Sequence, residues 1–137
     1  MNTIIDDFKS VYSKLDADSI GLVSTIYDDN ITFVDPFHEI RGLSNLTEYF
    51  SKLYKNLESC KFEFTEVYSK PSSALITWNM AFKHQSLSRD VIEVAGNTQI
   101  RFDEKIYFHR DYFDAGKMLY ENIPVIRTLI KFIKGKI

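Results

Sequence analysis

Ala74-Leu75-Ile76-Thr77-Trp78-Asn79-Met80-Ala81-Phe82-Lys83-His84 is the stretch that decides the fold. Its β-branched and aromatic residues favour a strand, and in a strand alternate side chains point to opposite faces. Trp78, Met80 and Phe82 then share one face, while Leu75 and Ala81 give the other an apolar character. A strand apolar on both sides is covered on both, by helices on one and by a second subunit on the other. Core or dimer interface is the reading of Trp78, with a ligand platform as its alternative.

Working outward, the same period of two continues on either side. Phe62, Phe64, Val67 and Tyr68 form the strand before, which Pro71-Ser72-Ser73 ends. A third strand is expected over about 91–102 and a fourth over about 105–113, joined by the turn at Asp103-Glu104. Ahead of Cys60 the period is helical instead. Ile4, Ile5, Phe8, Val11, Tyr12 and Leu15 mark a first helix, with Thr3 as its expected N-cap. Ile20, Val23, Ile26 and Tyr27 mark a short second one capped by Asp18. Asp28-Asp29-Asn30 breaks it before the short strand 31–34. Leu46, Tyr49, Phe50, Leu53, Tyr54 and Leu57 mark a third helix, capped by Ser44 and ending near Cys60. Helices followed by hairpin-connected strands predict an α+β domain. A strongly bent antiparallel sheet wrapped around the early helices would make a cone with a pocket.

Composition narrows the function. The 137 residues suit a single domain, residues 1–137, with no repeat or linker. Seventeen basic against nineteen acidic residues leave a net charge of −2, without the basic excess of a nucleic-acid binder. Aromatics make up 15%, enough to fill a core and line a pocket. No apolar stretch is long enough to span a membrane, and the N-terminus lacks a signal-peptide pattern. The single cysteine, Cys60, fits a reducing compartment, so a cytoplasmic location is expected. His38, His84 and His109 have no metal-ligand spacing, and neither a metal nor another cofactor is expected. From residue 117 on, a helix is expected that starts or kinks at Pro124. Arg127, Lys131, Lys134 and Lys136 alternate there with Ile126, Leu129, Ile130 and Ile133, and no acid follows Glu121. Such a segment either lies on an anionic membrane surface or buries its apolar stripe on its own domain.

Two motifs carry a family resemblance. Tyr27-Asp28-Asp29-Asn30-Ile31-Thr32-Phe33-Val34-Asp35-Pro36, followed by Gly42 and a helix, is one; Lys105-Ile106-Tyr107-Phe108-His109-Arg110-Asp111-Tyr112-Phe113-Asp114 is the other. With the order of elements, they make the chain resemble the NTF2-like superfamily, and within it the SnoaL-like and ketosteroid-isomerase-like proteins. The resemblance implies an NTF2-like cone, a homodimer through the open face of the sheet, and a small apolar ligand. It implies cofactor-free acid–base chemistry of an isomerase or hydrolase, or alternatively a non-catalytic ligand-binding or protein-interaction module.

Position by position, Asp35 matches the general base of the ketosteroid isomerases. Their oxyanion donors fall on Val11, one residue from Tyr12, and on Thr98, so both donors are changed. Asp111 matches an acid–base carboxylate of limonene-epoxide hydrolase. That enzyme's central Arg and Asp fall on Asn79 and Ala81, and its water-orienting Tyr and Asn on Phe33 and Asp35. The expected catalytic pair is therefore Asp35 and Asp111, two carboxylates sharing one dry pocket. Tyr12, Phe33, His38, Asn79, Thr98 and His109 are expected to line it. The bland readings are a turn-stabilising Asp35 and an Asp111 paired with Arg110 or Arg101 at the sheet surface. On β alternation, Tyr107, His109, Asp111 and Phe113 would share a face.

Overall fold

The computed structural model describes residues 3–85, 90–119 and 124–136. The first helix, α1, runs Thr3–Lys14 and turns Ile5, Phe8, Val11 and Tyr12 inward. The expected second helix is a single stretch of 3-10 helix, Ile20–Thr25, preceded by Ser19 rather than capped by Asp18, with no side-chain cap bond. Tyr27 is not part of it: strand β1 spans Tyr27–Val34 and takes in Asp28-Asp29-Asn30. Polar residues break a helix stripe but are tolerated on a solvated strand face. A three-residue strand, β2, Glu39–Arg41, follows. Helix α2, Leu43–Lys55, is entered through Gly42 at φ 90°, not through a Ser44 cap; a left-handed backbone at that point suits only glycine without strain.

The long strands are β3 Leu57–Lys70, β4 Ser73–His84, β5 Ile92–Phe102 and β6 Ile106–Phe113. Cys60 therefore lies within β3, not at a helix end. Short helix α3, Ala115–Leu119, and α4, Pro124–Lys134, close the chain. One open sheet has the order β2-β1-β6-β5-β4-β3. Its pairings are antiparallel except β1 with β6, which run parallel with Phe33 opposite His109. That parallel pairing, absent from the expected all-antiparallel sheet, brings the two motifs side by side.

Helices α1 and α2 lie on the concave side of this curved sheet. Phe8, Tyr12, Leu46 and Phe50 pack there against Phe33, Ile76 and Ile100. A second cluster, Phe82, Ile92 and Val94, gathers Met80, Phe113 and Met118 around it. The outer face is less apolar than expected: Asn79 is exposed and Thr77 bonds Thr65 across β3 and β4. On the central strands β5 and β6, Arg101 stacks on Phe108 and Arg110 on Tyr112. The apolar residues of α4 whose side chains are described, Leu129, Phe132 and Ile133, are 57%, 64% and 52% exposed, so this part of the stripe is not buried on the domain.

Candidate active site

A cavity of about 480 Å³ opens between α2 and the concave face of β3, β4 and β6. Its wall is aromatic and aliphatic, with Tyr12, Phe33, Phe50, Phe62, Trp78 and Met80 prominent. Asp35 and Asp111 both border it, and His38 stands at its rim with a side chain 52% exposed.

The two carboxylates are held differently. Asp35 follows β1 directly, and its Oδ1 accepts the backbone N–H of Phe37 and of His38, each at 2.8 Å. Its Oδ2 accepts the Tyr49 hydroxyl at 2.6 Å, and His38 Nδ1 lies 3.5 Å from Oδ1. Both oxygens are thus engaged in fastening the β1–β2 turn to α2. Asp111, on β6 opposite Thr98, uses one oxygen only. Oδ1 accepts the Thr98 hydroxyl at 2.6 Å and meets His109 Nε2 at 2.7 Å. Among the described residues no donor reaches Oδ2.

Behind Asp111 runs a buried polar chain. His109 Nδ1 and the Tyr27 hydroxyl share a 2.8 Å hydrogen bond, and Tyr27 and Tyr12 share one of 2.6 Å. On the other side the Trp78 indole N–H donates to Thr98 Oγ1 at 2.9 Å. An indole can only donate, so Thr98 accepts from it and spends its own proton on Asp111. A carboxylate can only accept, so His109 Nε2–H also points at Asp111. The donor and acceptor roles along His109, Tyr27 and Tyr12 are set together by the form of the imidazole, and no described buried side-chain polar atom is left unpaired. The His109 ring is stacked on Phe33 at a centroid distance of 4.4 Å and is 1% exposed, so it cannot swing away.

Burial pushes the hydroxyls of Tyr12 and Tyr27 well above the usual phenol range, with the Asp111 charge adding to it. Tyr49 is raised by burial and by its bond to Asp35. These three hydroxyls therefore keep their protons at neutral pH. Cys60 also borders the cavity, but burial pushes its thiol up to about 12, outside the range of a nucleophile.

Of the residues expected at the pocket, Tyr12, Phe33 and His38 line it. Thr98 and His109 stand one layer behind, in contact with Asp111. Asn79 does not: it is exposed on the face of β4 opposite Trp78, because strand alternation turns it outward. Asp111 bonds His109 and Thr98 and makes no ion pair with Arg110 or Arg101, which stack on rings instead. Tyr107 leaves the expected inward row and is 41% exposed, since the β5–β6 register shifts between Arg101 and Phe102. Tyr27, Tyr49 and the polar role of Trp78 were not legible locally. Among the described residues no group of three His, Cys, Asp or Glu side chains could hold a metal ion.

Known structures share this architecture. A Catenulispora acidiphila protein with a ketosteroid isomerase-like fold, solved in complex with trimethylamine, superposes with a TM-score of 0.72 at 15% identity, over 83% of this chain and 87% of its own. An LEH-like epoxide hydrolase of M. tuberculosis gives 0.71 at 15% identity, over 97% and 94%. A candidate SnoaL-like polyketide cyclase from Jannaschia gives 0.72 at 8% identity, over 82% and 85%. These likenesses carry the NTF2-like fold and no activity. No curated protein matches in sequence. A sequence model of the SnoaL-like domain matches residues 8–111, from Phe8 of α1 through the carboxylate on β6, and on that match the chain belongs to the SnoaL-like domain family.

Proposed function

We propose that the chain binds a small, mostly apolar molecule in this cavity and moves a proton on it without a cofactor, as an isomerase or hydrolase does. Asp111 is the base. Its Oδ2 takes a proton from carbon, and the electron pair left behind is delocalised onto the ligand's own acceptor oxygen. Asp35, bridged to Tyr49, is the second acid–base group, and Tyr12 lines the cavity wall. The observation that carries this reading is a carboxylate with one oxygen fixed by His109 and Thr98 and the other without a donor among the described residues, beside an aromatic cavity. In an aromatic cavity such a carboxylate and a carbon acid can meet without water between them. The same reading places the protein in the cytoplasm, where Cys60 stays a thiol, as a homodimer through the outer face of the sheet.

Mass spectrometry of the native protein would identify a ligand that co-purifies. Nitrobenzisoxazole, a flat apolar carbon acid, would probe the base: proton abstraction from carbon breaks its N–O bond and releases a coloured phenolate. Turnover by the wild type and its loss in Asp111→Asn supports the reading. A retained ligand with equal occupancy in Asp111→Asn, and no turnover, makes the domain a non-catalytic binding module.

A further inference from the structure

Helix α4 presents a face that the described residues of the domain leave uncovered. Leu129, Phe132 and Ile133 recur at helical spacing, so they lie on one side, and all three are more than half exposed. Lys131 and Lys134 fall about half a turn away on the opposite side. Lys136 sits at the end with its ammonium 5.4 Å from the centre of the Phe132 ring, at the border of the apolar face. The segment from residue 124 on holds four basic residues and no acid, in a chain of net charge −2; the remainder therefore carries −6. Charge is segregated along the molecule, and an acidic body would repel the surface that its basic tail attracts unless the tail made the contact.

We infer that α4 is an interfacial helix that docks the protein on an anionic lipid bilayer. Its apolar side enters the boundary between headgroups and acyl chains, and its lysines remain with the phosphates. No described helix is long and apolar enough to cross a membrane, and eleven residues lying flat need not. The charges decide the kind of partner. An apolar side alone would fit another protein as well, but lysines opposite it with no acid between them match a surface of one sign. Cavity and helix are neighbours in the chain: Met118 borders the cavity, and α4 begins at Pro124.

The test is co-sedimentation of the full chain with vesicles of phosphatidylcholine containing about 30% phosphatidylserine, against phosphatidylcholine alone. Binding is expected to the anionic vesicles and to weaken as salt is raised. Lys131→Ala should weaken it about five-fold, and Lys131→Ala with Lys134→Ala about twenty-five-fold. Phe132→Ser with Ile133→Ser should abolish it while leaving the thermal transition in place, since neither side chain belongs to the core. Equal binding to neutral vesicles, no binding to either, or self-association removed by Phe132→Ser in place of lipid binding would each overturn the inference.

Discussion

His109 and Asp111 lie two residues apart on β6, and their side chains meet at 2.7 Å between Nε2 and Oδ1, with the imidazole 1% exposed. The contact fixes one oxygen of the carboxylate and leaves its second outside the bond. Asp111→Asn keeps an acceptor oxygen for both His109 and Thr98. Chemical denaturation should show a stability change within about 1 kcal/mol, alongside loss of proton abstraction.

Asp35→Ala should behave in the opposite way. Three donors, from Phe37, His38 and Tyr49, lose their acceptor at the β1–β2 turn. A loss of about 1–3 kcal/mol is expected in the same denaturation measurement, with the Tyr49→Phe variant recovering part of it in a double-mutant cycle.

His109→Ala removes a buried ring between Phe33 and Phe8 and leaves the Tyr27 hydroxyl short of a partner. A cost of about 3 kcal/mol or more is expected from the cavity and the lost bond together.

Alkaline pH should unfold the protein cooperatively. Tyr12, Tyr27, Tyr49 and Tyr54 have folded pKa values raised above their ordinary 10.0, first by burial, and Cys60 is raised from 9.0 to about 12. Above pH 9 to 10 the unfolded chain releases these protons while the folded chain keeps them. Stability is therefore full below that range and falls as pH rises through it. The phenolate absorbance of these four, over and above that of the exposed tyrosines, should rise in a single step that coincides with loss of secondary structure. Ionisation of all eight tyrosines in a still-folded protein would contradict the buried assignment.

The architecture was legible where periodicity is strong, as in β4 with Trp78, Met80 and Phe82 on one face, or in the apolar stripe of α2. It was not legible where two elements share a spacing. Ile20, Val23, Ile26 and Tyr27 fit a helix, yet Tyr27 opens β1, and only its register beside β6 shows that. The polar chain escaped the same way. Tyr27 and His109 are 82 residues apart and meet because β1 and β6 run parallel, which no local pattern encodes. Asn79 departs from the family motif for a simpler reason: alternation from the buried Trp78 turns it outward.

Gly96 stands opposite Trp78 on β5. A Cβ there would come within 2.5 Å of the indole and 2.6 Å of the Tyr112 carbonyl oxygen, the latter a backbone atom with little room to yield. Gly96→Ala should cost about 1–3 kcal/mol and shift the emission of Trp78, the one tryptophan in the chain. A position with no functional group of its own thereby governs how far the pocket can be retooled. Trp78, Thr98 and Asp111 are locked in place through a hydrogen atom's worth of space. Divergence toward a differently shaped ligand is channelled to the far wall, where Phe37, Leu53 and Met118 can change size without disturbing that lock.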